Sequence, residues 1–494
     1  MNLHDLLLNV KAVSFEQLIP QTEIQAEEDK ERYAEHGYNV FLTESEFREK
    51  FDLDPSCVWY TPSISNSCLY FNEETLAVSS FPMEMFIFGR GLDKDSFYKV
   101  IHNREAEAAQ KEFAGCLLSL PDAMRLEYFE LIVDNYGADV PELYNLFFSN
   151  YRAADYGFNH MDPSTLDVVL SAKTDDDAAK TEAELRDLPD KIKIYRGGNT
   201  QSTPYTHAYS WTLDINVANY FACRLGSGTG YLVEGEVDKK DVIEAFLSDT
   251  DEKEIFVDPQ KVKILSEIEI RGQDALAGIL PSITPTFHRY REKMYGLDFA
   301  RASEEHGYAH EARVLLMSLT IAHLLKLPDC DKRVLAEAAI YHDTQRVNDD
   351  VDLTHGRASR EYYRSSVASP DPLVEFLCEY HCLPDEDGLR EIEENPVLNK
   401  NMERAARLFR VFKDSDSLDR VRFGIKELDV KQLRLPVSKE LGLIARMYVN
   451  QVRIDVPQKA RKRSLSDRIQ DAEAKSADPF RRSRSIVQAK NKYR

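Results

Sequence analysis

Apolar residues recur along this chain in two rhythms, and the change from one to the other divides it. From about 120 to 172 the spacing is helical, carried by Met124, Leu126, Tyr128, Phe129, Leu131 and Ile132, then Leu143, Leu146 and Phe147. From 191 to about 271 it is strand-like. Ile192 and Ile194 alternate with lysines, and 231–237, 255–257 and 262–270 read as short strands. One helix is expected among them, 215–223, with Asp214 or Asn216 as its cap. From about 285 to 455 the helical rhythm returns, clearest at 311–325 and 332–341. Pro328, Pro370, Pro372, Pro384 and Pro396 punctuate it.

The ends differ from this middle. Before 115, strand-like runs (38–42, 58–60, 85–88) alternate with helix-like ones (44–51, 96–114). Gly89 and Gly91 make half of a GxGxxG without the third glycine, which reads as a turn. Residues 173–191 are polar enough for a solvated helix or loop. Beyond Pro457 apolar residues are few, and 459–463 and 481–484 are basic, the pattern of a disordered tail. The expected organisation is multidomain: a mixed α/β accessory domain (1–115), an α+β domain (116–275), an all-α domain (285–455) and a basic tail (456–494).

Composition narrows the function classes. At 494 residues the chain is too long for one ordinary core. It is 43% hydrophobic and carries a formal net charge of −22, a surface that repels nucleic acid and anionic membrane over most of its area. Only the basic tail offers nucleic acid a local patch. Seven scattered cysteines without a CxxC pair point to a reducing compartment. Cys378 and Cys382, which flank His381, read as small core residues. No run approaches the roughly 18 apolar residues of a membrane helix, and residues 1–8 lack the basic start of a signal peptide. The expectation is a cytoplasmic protein without a membrane partner, unless a secretion system that needs no cleaved signal exports it.

Two constellations carry chemistry. In the first, Tyr195-Arg196-Gly197 ends one strand, Ser210-Trp211-Thr212 forms a second, and Glu252-Lys253-Glu254 begins a third. Cleavage of NAD at its nicotinamide bond needs these residue types. A carboxylate steadies an oxocarbenium-like transition state, a guanidinium forks onto pyrophosphate, and an aromatic ring such as Tyr220 or Phe221 stacks on nicotinamide. In this order the motifs resemble the R-S-E signature of the mono-ADP-ribosyltransferases over about 115–275. The resemblance implies a split β-sandwich. It implies Arg196, Tyr195, Gly197, Thr212 and Phe221 at bound NAD, Ser210 holding the site together, Glu254 as catalytic glutamate and Glu252 as its upstream companion. It also implies a macromolecular acceptor, with protein arginine favoured by the Glu-x-Glu pair. The family's middle motif is Ser-Thr-Ser, and here it is Ser-Trp-Thr.

The second constellation is His310 opening one helix, His342-Asp343 ending another, and a distant Asp416 with Asp414 as competing register. His and Asp from neighbouring helices can enclose a metal and leave positions for water. These motifs resemble the HD superfamily of metal-dependent phosphohydrolases over about 300–425. The resemblance places His310, His342, Asp343 and Asp416 as metal ligands, with His355 and His381 where two-metal members add histidines. It implies one or two divalent ions (Mn, Fe, Mg, Zn or Co), a hydroxide nucleophile, and a nucleotide or other phosphoester substrate. Arg346 is a candidate phosphate contact, His306 an indirect or exposed residue, and His323 a hydrogen-bonded core histidine. Two rival readings stand beside this two-enzyme one. In the first, an HD-type phosphohydrolase carries an inactive, NAD-sensing transferase-like domain. In the second, the chain is a non-enzymatic binding and targeting protein.

Overall fold

The computed structural model describes residues 19–20, 44–51, 55–60, 67–82, 94–153 and 161–451, less 201, 225, 227, 249–250, 302 and 304. The readings at 1–8, 38–42 and 85–88, the Gly89/Gly91 turn and the basic tail lie outside them. The chain forms two compact units that divide between Arg186 and Asp187. No helix among the described residues is long and apolar enough to cross a membrane.

The first unit pairs a small sheet with helices. β1 (Ile19–Pro20), α1 (Glu44–Phe51), β2 (Val58–Tyr60), β3 (Ser67–Phe71) and β4 (Val78–Pro82) come first. The strands pair antiparallel in the order β1-β2-β3-β4. There follow α2 (Lys94–Ala109), α3 (Ala114–Ser119), α4 (Asp122–Tyr136), α5 (Leu143–Ala153), α6 (Pro163–Ser171) and α7 (Asp175–Leu185). The helical rhythm has its cause in burial, since Tyr128, Phe129, Ile132 and Phe147 are fully enclosed. Within the polar 173–191 stretch, Asp175–Leu185 is a well-capped helix. The Thr174 hydroxyl accepts from the Asp177 amide while the Asp177 carboxylate accepts from the Thr174 amide.

The second unit opens with β5 (Lys191–Asn199), β6 (Ser210–Thr212), α8 (Ile215–Cys223), β7 (Gly230–Asp238), β8 (Val242–Phe246), β9 (Glu254–Val257) and β10 (Lys263–Ile270). All pairs are antiparallel, in the order β10-β7-β5-β6-β9-β8. β8 has no counterpart in the sequence reading. The join between β5 and β6 is a single register pair, Tyr195 with Thr212, so the sheet is two three-stranded ribbons meeting at one point. α8 forms as expected, capped by Asp214, whose side chain accepts from the Asn216 amide. It lies so close to β5 that a Cβ at Gly197 would meet the Ala218 carbonyl oxygen at 1.7 Å. Glycine is required there by contact.

The rest of the unit is helical: α9 (Gln273–Tyr295), α10 (Tyr308–Leu324), α11 (Asp329–Tyr341), α12 (His355–Ser366), α13 (Pro372–Tyr380), α14 (Asp385–Glu394), α15 (Met402–Leu418), α16 (Pro436–Lys439) and α17 (Gly442–Gln451). The helical part thus begins near 273 rather than 285, and α9 runs through Pro281 and Pro285. α10 is buried around almost its whole circumference and packs against α9, α11 and α15. Sheet and helices share one core. Ala218, Ala222, Cys223, Leu232 and Ile270 belong to the same apolar cluster as Leu315, Leu335, Phe412 and Ile444. Polar contacts follow this seam. Asn216 donates to Asp429 (2.9 Å) and accepts from the Val430 amide (2.9 Å). Arg271 pairs with Glu440 at 2.6 Å.

Candidate functional sites

The helical motifs converge. His310 stands in the first turn of α10, His342 caps the end of α11, Asp343 follows it, His355 opens α12, His381 caps the end of α13, and Asp416 lies in the last turn of α15. Four helix termini and the buried start of α10 therefore meet. All six are withdrawn from water except Asp416, which is about a third exposed.

Each histidine is fixed through Nδ1. That atom lies 2.7 Å from Asp419 Oδ2 in His310, 3.0 Å from the Ala339 carbonyl in His342, 2.6 Å from the Asp352 carbonyl in His355, and 2.8 Å from the Cys378 carbonyl in His381. A carbonyl or carboxylate only accepts, so Nδ1 carries the proton and Nε2 presents a lone pair. Those lone pairs face each other. His310 and His342 Nε2 are 3.2 Å apart, and His355 and His381 Nε2 are 2.9 Å apart.

Asp343 lies between the two pairs. Its Oδ2 is 3.6 Å from His310 Nε2. Its Oδ1 is 3.0 Å from His355 Nε2 and 3.3 Å from His381 Nε2. Asp416 Oδ1 adds to the first pair at 3.4 Å from His310 Nε2. Asp343 Oδ1 is buried without a hydrogen-bond donor, because the atoms beside it are lone pairs. Burial foremost holds His342 neutral, its pKa down to about 3. Burial alone would raise Asp343 and Asp416. Hydrogen bonds and positive charge from the surrounding histidines lower both, an effect that a cation held between these groups would supply in their place. Imidazole nitrogens and carboxylate oxygens converging on one space are the donor set of a borderline divalent cation. Buried His/Asp groups within metal-binding reach include His310/His342/Asp416 and His342/Asp343/His381.

Several sequence readings can now be placed. Asp414 is turned away, its carboxylate accepting from the Arg434 and Leu435 amides and from the Arg434 side chain, so Asp416 holds the register that faces the histidines. His306 reaches Asp343 Oδ2 at 3.2 Å. Arg346 donates to the Asn348 and Asp350 carbonyls and lies 3.9 Å from Asp343. His323 is only half-buried, near the end of α10. Cys378 is buried and Cys382 partly so. Sequence reasoning missed Asp419, which holds His310, Arg313 and Arg422 together. Its signal was available, since it lies three residues past Asp416, one helical turn on.

In the sheet, the Ser210 hydroxyl donates to Glu254 Oε1 at 2.5 Å, although the two residues stand 44 apart in the chain. Register brings them together, because β6 pairs with β9. Arg196 donates through Nη1 to the Ser210 carbonyl (2.6 Å) and through Nη2 to the Thr203 carbonyl (3.4 Å), across the narrow join between the ribbons. Lys253, between the two glutamates, has φ of +47°, an uncommon conformation for a side chain of this kind.

Other predicted residues hold the frame instead. The Thr212 hydroxyl donates to the Glu252 carbonyl at 2.5 Å and accepts from the Asp214 amide at 3.0 Å. Tyr195 packs on the helical core, on the face opposite Arg196. Gly197 makes room for α8. Phe221 lies edge-on to Tyr220 and under the Arg224 guanidinium. Through the Ser210 hydroxyl and carbonyl, the Glu254 carboxylate and the Arg196 guanidinium thus join one chain of contacts.

No protein-family model, curated protein or solved structure matches this chain.

Proposed function

We propose that the helical part is a metal-dependent phosphohydrolase or phosphodiesterase of HD type, in one chain with an NAD-dependent ADP-ribosyltransferase built on the sheet. One observation carries the first half. The Nε2 atoms of His310, His355 and His381 converge on the two oxygens of one buried carboxylate, Asp343, and His342 Nε2 lies 3.2 Å from that of His310, with every Nδ1 engaged behind them. His310, His342 and Asp416 would hold one ion and His355 and His381 a second, with Asp343 shared. Such ions supply Lewis-acid polarisation of a phosphoryl oxygen and a lowered pKa for water. The protein keeps the ligand rings in place through their Nδ1 contacts. His306 and Arg346, both near Asp343, are placed to meet an anionic substrate.

The second half rests on the Ser210–Glu254 hydrogen bond and on the β6–β9 pairing that creates it. Glu254 would stabilise positive charge developing on ribose, with Ser210 orienting the carboxylate. Arg196 would bind NAD and steady the strand carrying Ser210. The acceptor we assign is a macromolecule, with protein arginine favoured by the Glu252/Glu254 pair.

Incubation with NAD and candidate acceptor proteins should release nicotinamide. Glu254→Gln should lower that release by about 10²- to 10³-fold, the usual scale for removing one stabilising charge or donor. No release by the wild type with any acceptor overturns the transferase half. In parallel, manganese-dependent release of phosphate or nucleotide from phosphoesters tests the metal half. A second reading keeps only the metal centre active and makes the sheet an NAD sensor. Its support is Arg196, whose Nη1 and Nη2 both reach backbone carbonyls. NAD binding without nicotinamide release would favour it.

A further inference from the structure

The two halves of the metal centre are unequal. The half made by His310, His342 and Asp416 receives Asp343 Oδ2, and Asp416 Oδ1 lies 3.4 Å from His310 Nε2. The half made by His355 and His381 receives only Asp343 Oδ1. The atoms behind the rings differ too. His355 and His381 both donate to neutral backbone carbonyls, Asp352 and Cys378. His310 instead faces a carboxylate, Asp419, at 2.7 Å.

Asp419 is held in place as a charge. Arg313 donates to both its oxygens, at 2.5 and 3.0 Å, and Arg422 Nη1 adds a contact at 3.2 Å. The carboxylate is 2% exposed. A carboxylate behind an imidazole fixes the ring and strengthens it as a ligand more than a carbonyl does. Two carboxylates besides the shared Asp343 contact His310 of the first half directly, Asp416 at Nε2 and Asp419 at Nδ1, whereas His355 and His381 make their side-chain carboxylate contacts with Asp343. Charge decides strongly in a buried site, where a dication is attracted by each neighbouring anion with little screening.

We infer that the centre loads in order: the His310/His342/Asp416 half is the tight, resident site, the His355/His381 half is the weaker, exchangeable one, and Asp419 is the positioning residue that sets this difference through His310. The inference rests on the metal-centre reading above and deepens it. It makes the second ion a variable that can arrive with substrate or respond to metal supply.

The test uses the full-length chain stripped with chelator and titrated calorimetrically with manganese alone. Two binding events are expected, separated in affinity. His355→Ala with His381→Ala should remove the weaker event and keep the tighter. His310→Ala should remove the tighter. Asp419→Asn, which keeps size and hydrogen bonding but loses the charge, should weaken the tighter event by about 10- to 100-fold and leave the other unchanged. An unaltered circular dichroism spectrum and a retained weaker event show that the variant is folded. If folding is lost, the two histidine variants still assign the order. Two equal events, a tight event lost from His355→Ala/His381→Ala, or a folded Asp419→Asn with wild-type affinities would each overturn the inference. Manganese binding that is absent altogether would overturn the metal-centre reading itself.

Discussion

His342 and Glu254 both stand at the end of a secondary-structure element, yet the regions around them are built differently. Around His342 several helix ends meet in a buried space, and each ring is fixed from behind before any ligand is considered. Around Glu254 two ribbons touch through one register pair, and the contact that matters is a single hydrogen bond between adjacent strands of one ribbon, β6 and β9. The first arrangement is over-determined: moving one helix leaves several donors in place. The second is sparse, and a small shift between β6 and β9 would separate Ser210 from Glu254. A centre that must hold a charged ion needs the first kind of support. A site that admits a large dinucleotide can be open and adjustable.

The largest expected effect tests the dense region. Asp343→Asn should reduce metal-dependent phosphoester hydrolysis on the order of 10³-fold, because it touches both halves of the centre. Nicotinamide release should stay within twofold. A hydrolase that survives Asp343→Asn would sink the shared-carboxylate geometry. Loss of both activities together would mean that the regions are not chemically separate.

A smaller effect probes the sparse region. Ser210→Ala should lower nicotinamide release by about 10-fold, the scale of one hydrogen bond to a charged group. Bound metal, measured by mass spectrometry, should not change. An unaltered rate in this variant would show that the carboxylate is oriented by something else.

The smallest effect lies on the seam. Asp214 caps α8 and pairs with Lys431 at 3.0 Å, so it joins the sheet region to the helical one. Asp214→Ala should cost about 1 kcal/mol in denaturant unfolding at neutral pH. Burial tends to raise the Asp214 pKa, but the Asn216 amide and Lys431 outweigh it and lower it. Its contribution is therefore complete above the unfolded carboxylate value of about 3.9 and fades as pH falls through the lower folded one. The wild type and the variant should converge in stability on acidification. A gap that persists at low pH would rule out this ionised cap.

What could be read from the sequence follows from how local each cause is. Helix 215–223 was legible because a capping carboxylate and a run of small apolar residues lie within ten positions. His342-Asp343 was legible for the same reason. Ser210 and Glu254 could be named singly, but their meeting depends on strand order, which periodicity does not encode. Asp419 could have been noted one turn past Asp416, but its contact with His310, 109 positions away, is not written in local spacing. The early start of α9 was hidden by Pro281 and Pro285, which usually end a helix. The core common to sheet and helices was invisible too, since an apolar residue does not announce which neighbour it will cover.

That common core limits how the chain can be divided. A cut between Ile270 and Gln273 would leave Ala218, Ala222, Cys223, Leu232 and Ile270 facing water on one side of it. On the other side, Arg446 would lose the Arg224 and Gly226 carbonyls to which it donates. Neither fragment should behave as a portable cassette. Substitutions that remove the chemistry of one region must therefore still leave its apolar surface in place for the other to fold.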